Sequence, residues 1–250
     1  MKTEYENPSY LPSCMRVLSG SSLKLIAVLI MLNDHIGSVL LRHYLPAQQV
    51  ALTIFGRGFS AYRICRNVGR LAFPIYCFLL VEGFAHTHSR LRYGLNLLIF
   101  ALVSEIPWNM ASGGKFLYEK QNVYFTLLLG YLAMCLADRY KEQKLLQVCA
   151  LMAMLFVSVM LNADYSYRGF IFIMIMYWLR NERAAQTLIG SCWLKYEWVA
   201  GFAFIFINMY NGQRGFVRSK ALKYFFYLFY PLHLFILALL RYWIFGIAVQ

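Results

Sequence analysis

Apolar stretches near the length of a bilayer crossing recur from one end of the chain to the other, and no other feature limits its fold as much. A helix needs about 20 mostly apolar residues to cross the hydrocarbon layer. About eight such segments can be read, at residues 23–41, 68–84, 93–110, 123–137, 145–161, 170–179, 184–210 and 224–245. The sixth is short and the seventh is broken by Lys195 and Glu197, so short or re-entrant pieces would bring the count to nine or ten. Residues 50–61 are apolar but hold Gly56, Arg57 and Gly58, and read as an interfacial or re-entrant piece. Lipid offers no partner to a bare backbone, so spanning segments of this kind are helices. The expected fold is all-α, a polytopic transmembrane helical bundle.

Composition carries the same message along the whole length. Hydrophobic residues make up 60% of the 250 and charged ones 14%, against about 45–50% and about 25% in an average soluble domain. A mean hydropathy of +0.53 leaves no long polar stretch to fold in water. A disordered chain, a disulfide-stapled mini-domain, an ordinary cytosolic enzyme and a soluble domain on one anchor are excluded. The first segment lacks a small-residue cleavage site and contains Asp34 and His35, so it reads as a retained helix, not a signal peptide. The organisation expected is a polar segment, 1–21, followed by one membrane-embedded domain, 22–250. Six scattered cysteines with no CxxC read as small buried hydrophobes.

Lys and Arg number 24 against 11 Asp and Glu, a formal charge of +13. In a membrane protein much of this faces anionic headgroups, so nucleic acid is not an expected partner. The loop from Arg42 to Arg70 alone holds five arginines, more than orientation requires, and a small polyanion is the natural second partner. Counted on alternate sides of the eight segments, the cations are nearly balanced and give no orientation.

A charge at membrane depth costs about 2.5–3.5 kcal/mol on insertion scales and usually faces a cavity or a partner. Here Asp34, His35, Glu82, Glu105, Glu197 and His233 all fall in apolar segments, which points to an internal polar cavity. Lys24 and His35 stand eleven positions apart, about 20° from alignment on one helix face and about 16 Å apart along it. They would line one groove from membrane surface to mid-depth. Asp34 cannot face its neighbour on the same helix, so its partner comes from another helix, an arginine being the natural choice. Arg63, Arg66 and Arg70 form a basic stripe whose guanidinium forks suit phosphate. Glu82 and His86 share a face, as an ion pair or a proton relay. His86-x-His88 lacks a third ligand, and no metal is expected. Tyr230-Pro231-Leu-His233 places a phenol and an imidazole about one turn apart beside a helix-breaking proline.

The order of these motifs resembles the TraX family of membrane proteins. The likeness is carried by Lys24 through Asn-Asp34-His35-Ile-Gly37, by Gly69-Arg70-Leu-Ala-Phe-Pro74 and by Val81-Glu82-Gly83-Phe84-Ala-His86-Thr87. It continues in Ser104-Glu105-Ile-Pro107-Trp108, Phe125-Thr126 to Gly130, Ala163-Asp164-Tyr165, Tyr210-Asn211-Gly212 with Arg214-Gly215, and Phe229-Tyr230-Pro231-Leu-His233. It spans about 22 to 240. One departure is Trp108-Asn109, where an aromatic and an acidic residue often follow the proline. The Lys24-x10-His35 spacing and Arg63-Ile-Cys-Arg66 are also similar to motifs of transmembrane acyltransferases of the acyltransferase-3 type.

The resemblance implies an integral acetyltransferase of the bacterial cytoplasmic membrane. It would use acetyl-CoA to modify an amine or hydroxyl on a peptide, pilin or glycan acceptor, as the family's namesake acetylates a conjugative pilin. On that reading His35, Asp34, His233 and Glu82 are the candidate catalytic residues, with His35 as base or acyl carrier. Lys24, Arg63, Arg66 and Arg70 would hold the donor's phosphates, and Glu105, Asp164, Tyr230 and His86 would complete the cavity. The competing expectation is a non-enzymatic assembly factor or a small-molecule transporter of the conjugation or envelope machinery. A transporter would be expected to show inverted repeats with matching broken helices, and no such symmetry is visible.

Overall fold

In a computed structural model, residues 10–54, 57–116 and 118–247 are described, together with all their side chains except Ile54 and Arg57. Among the described residues the elements are helices apart from one pair of strands. Helices α1 (Gly20–Val39) and α2 (Leu45–Gln48) are followed by β1 (Val50–Ile54) and β2 (Arg57–Ser60). Then come α3 (Ala61–Gly69), α4 (Ala72–His86), α5 (Arg90–Ser112), α6 (Val123–Arg139), α7 (Lys144–Met160) and α8 (Ser166–Trp178). The chain ends with α9 (Arg183–Trp193), a 3-10 segment (Leu194–Phe202), α10 (Ala203–Asn208) and α11 (Lys220–Phe245).

Among the described residues, four helical stretches are long and apolar enough to cross a membrane: Gly20–His43, Ala61–His86, Arg90–Ser112 and Lys220–Phe245. Each buries one face and leaves large apolar side chains on the other. In α1, Leu23, Ala27 and Met31 point inward while Leu25 and Leu29 point out. In α5, Leu97 and Ala101 are buried while Ile99, Leu102 and Ile106 are exposed. A stable arrangement in water would not leave a contiguous coat of leucine and isoleucine bare; hydrocarbon would cover it.

Short connections make consecutive helices antiparallel. Helix α1 packs on α3, α4 and α11, α11 on α5, α5 on α6, and α6 on α7 and α8. The α6–α8 crossing is close because of Gly130, where a Cβ would fall 2.6 Å from Ile173 Cδ1. Starts are capped by side chains where the sequence supplies them: Ser19, Ser60, Ser89, Asn122 and Ser219 each accept from a backbone N–H of the first turn.

Within the stretch read as an interfacial or re-entrant piece, β1 and β2 pair antiparallel, with Thr53 opposite Gly58. β-branched Val50, Thr53 and Ile54 favour extended backbone, which outweighs the run's apolarity. The segment 184–210 is not one interrupted span. Helix α9 runs in, the backbone leaves helical geometry at Glu197 (φ −126°, ψ 56°), and α10 runs back. Its end is fixed beside the start of α1, where Leu18 N–H donates to the Met209 carbonyl and Asn211 N–H to that of Leu18, both at 2.9 Å. This return brings 211–223 to the same end of the bundle as the start of α1. The cations Lys24, Arg90, Arg92, Arg139, Arg214, Lys220 and Lys223 therefore gather there. Cysteines also divide: Cys77 is buried, but Cys14, Cys149 and Cys192 are exposed.

At the other end, Arg241 closes α5. Its guanidinium is buried and donates to the carbonyls of Met110 (2.7 Å) and Ala111 (3.0 Å), the last carbonyls a helix cannot satisfy itself. Arg241→Leu should lower stability by about 2–3 kcal/mol, read as an earlier midpoint in detergent unfolding, with Arg241→Lys recovering part of the loss.

Candidate functional site

Helices α1, α4, α5, α6 and α11 enclose a cavity of about 750 Å³. Its two ends differ in charge. Lys24, Arg92, Arg214 and Lys223 line one end, with the Lys24 ammonium 5.6 Å from the centre of the Phe226 ring. His35, Asp34, Asp164, Tyr165 and Tyr230 line the other. Lys24 and His35 thus open on one cavity from the same helix. Apolar and aromatic groups, among them Val28, Met31, Phe73, Tyr76 and Tyr124, form the wall between.

Arg214 is held at its end by a staple. The buried Ser21 hydroxyl donates to the Arg214 carbonyl at 2.7 Å and accepts from Val217 N–H at 2.8 Å. Gly215, at φ +83°, passes so near Ser19 that a Cβ would lie 2.3 Å from its Oγ. The loop after α10 is thereby locked onto the first turn of α1, with its arginine at the cavity wall.

The deep end is built around two imidazoles. Pro231 has no N–H to give the Tyr227 carbonyl, and the Tyr124 hydroxyl donates to that carbonyl instead, at 3.3 Å. Two residues on, His233 Nδ1 lies 2.6 Å from the Phe229 carbonyl, and His233 Nε2 lies 2.6 Å from His35 Nδ1. A carbonyl only accepts, so the neutral His233 ring carries its proton on Nδ1. Its Nε2 then accepts from His35 Nδ1–H. The proton count leaves His35 Nε2 with a free lone pair, on a ring that lines the cavity. Tyr230, buried, stands 5.9 Å from the His35 ring centre.

Among the carboxylates, Asp34 accepts from Arg66 at 2.5 Å. It lies flush against Gly69, where a Cβ would sit 2.1 Å from Asp34 Oδ1. Arg70 pairs with Glu197 at 2.6 Å, and Arg63, exposed, donates to the Gly58 carbonyl at 3.3 Å. None of Arg63, Arg66 or Arg70 lines the cavity. They sit at the His35 end, where carboxylates draw two of them, and the cations at the opposite end are Lys24 with Arg92, Arg214 and Lys223. Sequence reasoning missed these last three. They come from three separate segments, and the loop holding Arg214 reaches the mouth only because the chain doubles back.

Glu82 and His86 line the cationic end 3.7 Å apart, and Tyr210 shares Glu82. Glu105 lies outside the cavity, where it accepts from Asn122 Nδ2 at 2.6 Å and holds the cap of α6. Asp164 sits in the turn before α8, a turn with positive φ at Asn162, Tyr165 and Ser166. Such backbone costs of order 1–3 kcal/mol per residue and persists only where its surroundings impose it. Here Thr126 Oγ1 donates to the Asp164 carbonyl, and the Tyr165 ring stacks on Phe73 at 3.8 Å. Burial pushes the Asp164 carboxyl up to about 6, against the pull of Lys120 and Arg70.

The chain belongs to the TraX family, whose model, described as TraX protein, matches residues 19–241. A relative named probable fimbrial assembly protein FimC, serogroup H1, from Dichelobacter nodosus is 29% identical over 246 residues. That match covers 86% of this chain and 93% of the relative. No solved structure matches.

Because Asp164 ionises less readily folded than unfolded, its contribution favours the fold below about pH 4 and is lost as pH rises through about 6. Asp164→Asn removes that dependence. The variant's stability in detergent, read from its melting temperature, should rise relative to the parent between pH 4 and pH 7, by at most about 3 kcal/mol of free energy.

Proposed function

We propose that this TraX-family membrane protein transfers an acetyl group from acetyl-CoA to an amine or hydroxyl of a pilus or envelope component. The observation that carries the reading is the pair of imidazoles 2.6 Å apart at one end of a cavity whose other end is cationic. A relative named for fimbrial assembly agrees with a pilus-associated role. The shorter helices α6–α8 and the two legs α9 and α10 complete the bundle in the bacterial cytoplasmic membrane. The end that gathers Lys24, Arg92, Arg214 and Lys223 faces the cytoplasm, following the positive-inside tendency.

The residues present fit an acyl-CoA. Its phosphates are polyanionic, and Arg92 and Arg214 offer forks with Lys24 and Lys223 as point charges beside them. A cavity of about 750 Å³ has room for an extended arm, and the rise from Lys24 to His35 is about 16 Å. When bound, the donor supplies an acetyl carbon activated as a thioester. The protein's part is proton management. His35 Nε2 takes the proton from the acceptor's nitrogen or oxygen as that atom bonds the acetyl carbon. The carbon–sulfur bond breaks, and His35 returns the proton to the departing sulfur. While His35 holds the extra proton, its Nδ1–H remains on His233 Nε2, and His233 passes the polarisation to the Phe229 carbonyl. His233 is a positioning residue that sets the His35 tautomer. Asp34 is tied to Arg66 and acts on the field at the deep end, not on the proton.

His35→Ala should reduce kcat by roughly 10²–10⁴, with acetyl-CoA still raising the melting temperature by mass action. His233→Gln keeps an acceptor for His35 Nδ1–H and should retain more turnover than His233→Phe, with KM for acetyl-CoA unchanged in both. The assay is release of the CoA thiol in the presence of envelope fraction. Full turnover by His35→Ala removes the histidine from the chemistry. A parent chain that acetyl-CoA does not stabilise at saturation is a non-enzymatic assembly factor.

A further inference from the structure

A second cavity of about 230 Å³ lies beside the deep end of the first, lined by Asn67, Arg70, Tyr196, Glu197, Trp198 and Val199. The two meet across a thin wall. Gly69 faces the main cavity while Arg70, the next residue, faces the second. Tyr165, on the main side, interacts electrostatically with Arg70. The part of the wall able to move is the Arg70–Glu197 pair, about one-third exposed on each side. Glu197 stands at the non-helical point where the chain turns between α9 and α10, so its backbone is not held by a continuous helix.

Charge says what would open such a wall. Just inside it lie Asp34 and Asp164, with Arg66 on Asp34. Asp164 is thus a carboxyl without an ion-pair partner among the described residues, whereas the far mouth of the main cavity is lined by Lys24, Arg92, Arg214 and Lys223. An anion approaching Arg70 would meet carboxylates next, while a cation approaching Glu197 would find more of its counter-ions ahead.

We infer that the second cavity is the acceptor's vestibule, and that the Arg70–Glu197 pair is its latch, released by a cationic group that takes Glu197 from Arg70. The inference rests on the acetyltransferase reading and adds to it a route and a charge for the acceptor. Donor and acceptor enter from opposite ends and meet at His35.

The test is access to a thiol at the deep end. Ala72→Cys lines the main cavity; five native cysteines are replaced by serine, and the wholly buried Cys77 is kept. Two reagents of similar size are compared in detergent, the cationic trimethylammonioethyl and the anionic sulfonatoethyl methanethiosulfonate. The cationic mouth repels the first, so its route is the vestibule. Adding Glu197→Ala should speed labelling by the cation roughly fivefold, the scale of a part-exposed ion pair, with a smaller gain for the anion. The exchange Arg70→Glu with Glu197→Arg should restore slow labelling. If Glu197→Ala does not fold, Glu197→Gln serves the same comparison. Rates indifferent to every change at 70 and 197 overturn the vestibule. Thermal shift by acetyl-CoA on the same chains is read separately: its presence with latch-independent labelling sinks the vestibule alone, and its absence sinks the acetyltransferase reading.

Discussion

Inside a bilayer no water is on hand to satisfy a stranded polar group, and the structure follows from how this chain meets that demand. Several helix breaks and ends are answered by a neighbour. Pro231 frees the Tyr227 carbonyl and Tyr124 supplies the missing donor. The end of α5 is closed by Arg241, and the cap of α6 is held by Glu105 through Asn122. Asp34 is met by Arg66 at a point where Gly69 lets the two backbones come together. An unpaired buried donor or acceptor costs about 1–3 kcal/mol, so these pairs are conditions for the bundle, not additions to it.

The same accounting gives the two histidines their chemistry. Because the Phe229 carbonyl can only accept, it dictates where the His233 proton lies, and His233 in turn dictates that of His35. A backbone oxygen thereby fixes the tautomer of a side chain two contacts away. Around this relay the cavity is polarised, with Lys24, Arg92, Arg214 and Lys223 lining one end and Asp34 and Asp164 the other.

What the sequence disclosed was local. Lys24 and His35 lie on one helix, so 3.6-residue periodicity alone put them on one face. Glu82 with His86 was readable for the same reason, and family resemblance supplied the ordered motifs. Contacts between helices were not readable: His35 and His233 are 198 positions apart, and nothing short-range announces that they touch. The stripe at Arg63, Arg66 and Arg70 was correctly spaced, but periodicity does not say which end of a cavity a helix stands at. The break at Glu197 was visible, yet not that the chain reverses there. That reversal decides which surface receives Arg214 and Lys223, and with it the side on which the cations accumulate.

The reversal has a further consequence for the lipid. Helix α9 has 11 residues, α10 has 6 and the 3-10 segment that joins them through Glu197 has nine, so the two legs reach about 24 Å and about 19 Å, short of a hydrocarbon layer about 30 Å thick. Acyl chains beside these legs must shorten or tilt to meet them. In a bilayer, the sheet of lipid would thin on the flank that carries Tyr196, Glu197 and Trp198. A hydrophilic polymer end on that flank would have a thinner layer of oil to cross.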